Sequence, residues 1–273
     1  MENINLLYLL PVIITTLISF VLLLYWKAAK RLTLYALAYA MLAYFLAIGS
    51  KTIFQELTYK ALVSVTTSNV ALGLYFGLQT MLLEVGLAYV FARIALSNKG
   101  MTIRDASGYG VSLAFWENGV MLGVLPIISV LVSYALLSSA NAATASAVYN
   151  SILASQPQLF SAPHIPVLLS NTLYSAMERT SSILLHASWG ILVVLAAALR
   201  RKKYLMLAMP MGLIDFLVPF AKVMTVPVFE TVILALSVLS IIVTLLVMKG
   251  VKNEKAQLTV KSRQRAKVAS RRL

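Results

Sequence analysis

Ionisable side chains inside long apolar segments are the residues of this chain best suited to chemistry. Glu84 lies in YFGLQTMLLEVGLAYVFARIAL, Glu117 lies in GYGVSLAFWENGVMLGV, and Glu178 and His186 share SAMERTSSILLHASWGILV. A charge at the centre of a bilayer costs at least about 2.5–3.5 kcal/mol, so these groups need polar partners inside the protein. Three successive apolar segments each carry a carboxylate, and this pattern predicts a shared polar interior.

The spacing of polar residues on the third of these segments places them on one side of a helix. Glu178, Ser182 and His186 follow one another at intervals of four residues, and each step drifts by about 40° around the axis. Glu178 and His186 are then separated by roughly 12 Å along the helix, at 1.5 Å per residue. They cannot share one small ligand, so we expect His186 to meet Glu84 or Glu117 on another helix.

Water activation is the chemistry that these residue types favour. A carboxylate in a water-poor cavity can act as a general base, while a nearby His or Asn stabilises an oxyanion. The predicted catalytic residues are Glu84, Glu117 and His186. The predicted supporting residues are Glu178, Arg179, Asn118 and Ser182.

A zinc site is a competing interpretation of the same residues. Hydrolytic zinc usually takes three protein ligands, commonly including two or three His, and the apolar segments offer only His186. The chain also has no Cys, which excludes disulfides, thiolate metal sites and a Cys nucleophile. We therefore expect a site without a metal, and zinc stays an alternative.

Two further interpretations involve no hydrolysis. The intramembrane polar groups can act as packing contacts, with Glu178 and Arg179 paired at a helix end and Asp215 satisfied locally. The protein would then be a scaffold or a subunit of a membrane complex. Scattered intramembrane carboxylates are also typical of proton-coupled transporters. Against transport, the two halves show neither an inverted repeat nor paired broken helices.

Long apolar runs must position these residues. The chain has 273 residues, of which 60% are hydrophobic and 12% charged, with a mean hydropathy of +0.86. Runs of about 20 apolar residues are long enough to cross a bilayer as helices. They predict an all-α, polytopic membrane protein with about seven transmembrane helices, at residues 5–26, 32–49, 71–96, 107–138, 174–199, 205–221 and 226–248.

The distribution of Lys and Arg predicts the orientation. With the N-terminus outside, eighteen of the 23 basic residues fall in cytoplasmic segments and three, Lys51, Lys60 and Lys222, fall in outer connections. We expect an N-out, C-in protein of the prokaryotic plasma membrane. The net charge of +14 lies at the ends of apolar segments and not on a soluble module, so nucleic-acid binding is not expected.

Three other regions complete the predicted organisation. Residues 52–70 are too polar for a lipid-facing span, and the pattern does not decide whether they lie at the interface or re-enter the membrane. Residues 139–172 predict an extracytoplasmic loop within a bundle of residues 1–248. Residues 249–273 predict a disordered basic tail that contacts the bilayer through anionic headgroups.

The segment ERTSSILLH carries a resemblance to the YhfC family of intramembrane proteases, which is related to the CAAX-processing and bacteriocin-processing membrane proteases. In this family a Glu-Arg pair is followed by a His eight residues after the Glu, as in Glu178, Arg179 and His186. The resemblance, with the span count, covers about residues 1–248. It implies a glutamic-type intramembrane peptidase acting on a membrane peptide, in which Glu84 or Glu117 activates water and His186 assists.

This chain also departs from the family pattern. The family tends to show a double Glu followed shortly by Arg, whereas Leu83 precedes Glu84 here and no Arg follows soon after. The family also has a His shortly before the Glu of the Gly-rich segment, and no His precedes Glu117 there. The absence of this Arg and this His predicts that the protein has an altered mechanism or is catalytically inactive.

Overall fold

The computed structural model describes residues 3–139 and 141–269, and every regular element in them is helical. Seven helices in these residues are long and apolar enough to cross a membrane, which confirms the predicted helical class and agrees with the predicted number of apolar segments. These helices are α1 (Leu6–Ala28), α2 (Leu34–Val65), α3 (Asn69–Ser97), α4 (Ile103–Ser138), α6 (Ile165–Leu199), α7 (Lys202–Lys222) and α8 (Val226–Ala269, of which Val226–Asn253 forms the candidate span). A shorter helix, α5 (Ala142–Ser155), connects α4 to α6.

Local capping interactions explain where several of these helices begin. At the start of α2 the Thr33 side chain accepts a hydrogen bond from the Ala36 backbone N–H. At the start of α3 the Ser68 side chain accepts one from the Ala71 backbone N–H. Thr102 and Asp105 form a reciprocal capping box where α4 begins. These caps satisfy backbone donors that the first turn of a helix leaves free.

The helix α6 lies at the centre of the bundle. In its most apolar stretch 72% of the residues are buried, compared with 6% in the corresponding stretch of α4. It packs against α1, α3, α4 and α8. Gly110 of α4 lies against α6, where an added Cβ would come within 2.6 Å of the Ala187 carbonyl oxygen, so small residues allow this close approach.

Among the described residues, three spans contain non-α-helical segments beyond their first turn. A π-helical segment, Thr80–Val85, interrupts α3, and a longer one, Phe115–Val124, interrupts α4. In α7 the residues Met209–Lys222 form a 3-10 helix that begins and ends near Pro210 and Pro219. Such segments inside longer helices often occur at functional sites, because they re-aim side chains.

The structure also describes the two connections on either side of α3 and α4. The helix α2 continues through residues 52–65, so most of the undecided segment extends the second span. The loop expected at 139–172 is largely helical, because it contains α5, a 3-10 turn at Pro157–Phe160 and the first residues of α6.

The basic tail also differs from the expectation of disorder. The helix α8 continues to Ala269, whereas residues 249–273 were predicted to be disordered. Between residues 253 and 269 the chain has no Gly or Pro and is rich in Lys, Arg, Gln and Ala, which favour helix. Residues 270–273 lie outside the described part of the chain.

Candidate active site

The structure brings Glu84, Glu117 and His186 together from three different helices. One potential ligand atom from each residue lies within 4.8 Å of the other two. The His186 Nε2 atom is 2.7 Å from Glu117 Oε2 and 3.6 Å from Glu84 Oε2. Both glutamates belong to the π-helical segments of α3 and α4, and His186 projects from the central helix α6. Their catalytic roles stay a prediction.

The orientation of the His186 ring leaves one nitrogen facing the carboxylates. Its Nδ1 is 2.9 Å from the Ser182 carbonyl oxygen, which can only accept, so Nδ1–H donates to it. The buried Nε2 forms no hydrogen bond of good geometry, although it lies close to Glu117. A nitrogen lone pair facing two carboxylates is repulsive. A proton between Nε2 and Glu117 Oε2, carried by either atom, or a bound cation is needed to stabilise this arrangement.

The Glu117 side of the site contains all four predicted supporting residues. Ser182 Oγ donates to Glu117 Oε1 at 3.1 Å, and Arg179 Nη1 lies 3.8 Å from the same oxygen. The Asn118 amide donates to Ser182 Oγ at 3.0 Å and accepts from Arg179 Nη1 at 3.2 Å. Arg179 Nη2 also pairs with Glu178. This network holds the Glu117 carboxylate in place.

The Glu84 side contains three residues that the sequence analysis did not place in the site. Lys51 Nζ is 2.6 Å from Glu84 Oε1, 2.8 Å from Thr80 Oγ1 and 3.2 Å from Asp215 Oδ2. The Thr80 hydroxyl also donates to Asp215. The ammonium group is therefore shared by two carboxylates on α3 and α7.

Lys51 was assigned to an outer connection, and the structure corrects this assignment. Because α2 continues to Val65, Lys51 lies near the middle of that helix. A signal for this was present: buried Ala40, Tyr44 and Ala47 follow one another at helical spacing, and Lys51 comes four residues later on the same stripe. Asp215 was expected to be satisfied locally, but its partners come from α2 and α3.

A cavity of about 360 Å³ joins the two sides of the site. Its lining includes Glu84, Glu117 and His186, and the Trp189 ring packs 4.3 Å from the imidazole. The other polar residues of the site, among them Lys51, Arg179 and Asp215, also line it. The rest of the lining is apolar and includes Ile48, Met121, Leu122, Ile214, Val218, Phe229 and Ile233. The space can admit water and part of an apolar chain.

The same three residues also form a set that could hold a metal ion. One imidazole nitrogen and two carboxylates suit divalent cations that accept mixed nitrogen and oxygen ligands. The hydrogen bond from His186 Nδ1–H to a backbone carbonyl is the arrangement that usually orients a metal-binding His. The geometry fits a cation, although the low number of His residues argued against zinc.

No family model matches this chain, and neither a curated protein nor a solved structure shows significant similarity to it. The resemblance to the YhfC family therefore stays a prediction that rests on the residues of the ERTSSILLH segment and its neighbours.

Proposed function

We propose that this protein is an intramembrane peptidase that hydrolyses peptide bonds of membrane-associated substrates with water activated by a glutamate. The observation that carries this proposal is the convergence of Glu84, Glu117 and His186 Nε2 in the lining of one cavity. Each carboxylate already has a cation beside it, Lys51 for Glu84 and Arg179 for Glu117, so packing does not require both to face the imidazole nitrogen as well. That arrangement fits a site for proton transfer.

Each group has a definite task in the proposed reaction. A carboxylate removes a proton from water, and the water oxygen attacks the carbonyl carbon of the peptide bond. Lys51 and Arg179 supply positive charge near the oxyanion that develops. As the C–N bond breaks, His186 Nε2–H donates its proton to the leaving nitrogen, and the carboxyl group that took a proton from water returns that proton to Nε2. If a divalent cation is bound, it supplies Lewis acidity and lowers the pKa of the attacking water.

The chemistry of the cavity walls supports a membrane-associated substrate. The cavity combines the polar groups of the site with a largely apolar lining, and it lies between helices that are long and apolar enough to cross a membrane. An apolar peptide segment can replace lipid contacts there and present a single peptide bond to the glutamates.

Cleavage in a defined membrane tests the proposal. Purified protein in liposomes is incubated with a library of membrane peptides, and products are identified by mass spectrometry. We expect Glu84→Gln, Glu117→Gln and His186→Ala each to lower the cleavage rate by about 10²–10⁴-fold. Glu56→Gln is a matched control, because this exposed glutamate on α2 lies outside the cavity lining. Unchanged cleavage in all three site variants would contradict the proposal.

Metal content distinguishes a metal-dependent peptidase from one in which the glutamate and the imidazole act without a metal. Elemental analysis of the purified protein is combined with activity measurements before and after chelation. A stoichiometric metal that is lost in Glu84→Gln and His186→Ala indicates a metal-dependent peptidase. Full activity without metal indicates that the glutamate and the imidazole are sufficient.

A specific observation favours proton-coupled transport as a second candidate. The charged groups form a continuous chain through the interior, in which each successive pair lies between 2.6 and 3.8 Å apart: Arg179, Glu117, His186, Glu84, Lys51 and Asp215. Intramembrane chains of this kind carry protons in pumps and transporters. Solute flux that follows an imposed proton gradient, without peptide cleavage, would favour this function. A stable protein with neither activity would favour the scaffold.

We also propose the N-out, C-in orientation in a prokaryotic plasma membrane, with the basic tail against anionic headgroups of the cytoplasmic leaflet. The chain has no native cysteine, so single cysteines report their own side of the membrane. Asn150→Cys on α5 should react with an impermeant maleimide in intact cells. Asn98→Cys, after α3, should react only after lysis, and the reverse pattern would contradict the orientation.

A further inference from the structure

A second cavity lies at the opposite end of the bundle from α5. Its volume is about 820 Å³. It is formed by the end of α3, the start of α4, the end of α6 and the start of α7, and its lining residues differ from those of the candidate active site. It is therefore a separate feature of the fold.

Three cationic side chains line this cavity. Arg93 comes from α3, Arg200 follows α6, and Lys202 begins α7. Among the described side chains, none of these three lies within 4.0 Å of a carboxylate oxygen. Hydroxyl groups of Tyr89 and Ser97 add polar atoms to the same wall. A concave surface that carries uncompensated positive charge favours an anion with several acceptor oxygens.

The remaining walls identify the kind of anion. Leu96, Ile103, Ala197, Leu199 and Leu205 provide an apolar lining directly beside the cations. A soluble phosphate compound gains nothing from such walls, whereas a phospholipid carries a phosphate next to its acyl chains. Since the cavity is formed where four membrane-spanning helices begin or end, it lies at the depth of lipid headgroups.

We propose that this cavity is a binding site for an anionic phospholipid. The lipid phosphate accepts hydrogen bonds from Arg93, Arg200 and Lys202, and one acyl chain lies along the apolar walls. The site does not depend on the proposed peptidase activity. It differs from general attraction of lipid to a basic surface, because the position of the cations around one cavity matters and not only their number.

Matched charge variants distinguish a defined site from general attraction. The protein is placed in phosphatidylcholine nanodiscs with a small fraction of phosphatidylglycerol, and retained lipids are counted by native mass spectrometry. One phosphatidylglycerol should remain bound per chain. In Arg93→Gln/Arg200→Gln/Lys202→Gln its affinity should fall by about a hundredfold, because each cation contributes about fivefold.

The control removes the same charge at the same end of the bundle. The control residues are exposed there and do not line the cavity: Lys27, Lys99 and Lys249. Lys99 has a φ of 55° and Arg200 a φ of 54°, so each triple variant replaces one residue with the same backbone conformation. The corresponding triple Gln variant should keep the bound lipid. Equal losses in the two triple variants would overturn the proposal, since the lipid would then respond only to total charge.

Two further measurements address the source of the phosphate and the folding of the variants. Glycerol 1-phosphate should not displace the lipid, and displacement at millimolar concentration would assign the cavity to a soluble phosphate compound instead. Leu205→Trp fills the apolar part without changing charge, so it should release the lipid while thermal unfolding still shows a folded protein. Retention of the lipid in this variant would overturn the acyl-chain contact.

Discussion

The two carboxylates that face His186 are held in different ways. Among the described residues, the side chains that hold Glu117 come from two helices, because Asn118 is its neighbour in α4 and Arg179 and Ser182 belong to α6. Glu84 on α3 pairs with Lys51 on α2, and the same ammonium also pairs with Asp215 on α7. The Glu117 side needs only the contact between α4 and α6. The Glu84 side, together with His186, forms only when α2, α3, α6 and α7 have packed against one another.

This difference has an energetic consequence. On the Glu117 side, the Arg179 side chain is 15% exposed and Glu117 is 17% exposed, but Arg179 also pairs with Glu178, which is 47% exposed. On the Glu84 side, the Lys51 side chain is 14% exposed and Glu84 is 9% exposed. Loss of Lys51 therefore leaves Glu84 poorly hydrated, whereas loss of Arg179 leaves Glu178 hydrated and Glu117 with the hydrogen bond from Ser182.

The largest effect is expected for Lys51→Met. Loss of the ammonium leaves Glu84 and Asp215 close together without a counter-ion, and breaking a buried pair typically destabilises a protein by about 3–5 kcal/mol. Arg179→Met should cost less, about 1–2 kcal/mol, because Glu178 regains hydration and Glu117 keeps the hydrogen bond from Ser182. The free energy of unfolding can be measured in mixed detergent micelles. Equal losses in the two variants would remove the distinction between the sides.

A double variant shows whether the Lys51 effect arises from charge. Lys51→Met with Asp215→Asn removes one of the two carboxylates that the lysine neutralises. It should therefore be more stable than Lys51→Met alone. If Asp215→Asn instead lowers the unfolding free energy further by its full individual amount, Lys51 stabilises the protein through packing of its methylene chain and not through its charge.

The difference between the Glu117 side and the Glu84 side also explains how much of the site could be predicted from the sequence. Glu178, Ser182 and His186 lie on one helix, so their spacing alone predicted a common stripe, and long apolar runs predicted the seven helices. Lys51 lies on a stripe with Ala40, Tyr44 and Ala47, but the polar residues after it resemble a connection, so the stripe alone does not show that the helix continues. The contacts of Lys51 with Glu84 of α3 and Asp215 of α7 show that its side chain points inward.

Helix packing gives the next smaller effect, on the Glu84 side. An added Cβ at Gly212 of α7 would lie 2.7 Å from the Cα of Met81 in the π-helical segment of α3. Gly212→Ala should separate these backbones and cost about 1–3 kcal/mol of unfolding free energy. Gly86→Ala is the matched control on α3, since nothing lies within 4 Å of its added Cβ. Its stability should be unchanged or slightly higher.

Peptide cleavage can be measured in the same two variants, Gly212→Ala and Gly86→Ala, to test activity apart from stability. Gly212→Ala moves Asp215 and Lys51 relative to Glu84, so it should lower activity under conditions in which the variant remains folded. Gly86→Ala should cleave at the rate of the unmodified protein. A destabilised Gly212→Ala variant with full activity would show that the Glu84 side supports the fold and not the reaction.

The smallest effects are expected for the two hydroxyl groups that contact the glutamates. Thr80 bonds with Asp215 and Lys51 on one side, and Ser182 donates to Glu117 on the other. Thr80→Val and Ser182→Ala each remove a hydrogen-bonding group and should cost about 1–2 kcal/mol in unfolding free energy. Thr80→Val should cost more, because a charged partner on each side of the hydroxyl loses a hydrogen bond. A larger loss in Ser182→Ala would mean that the local Glu117 arrangement, and not the contacts among four helices, is the more tightly held part of the site.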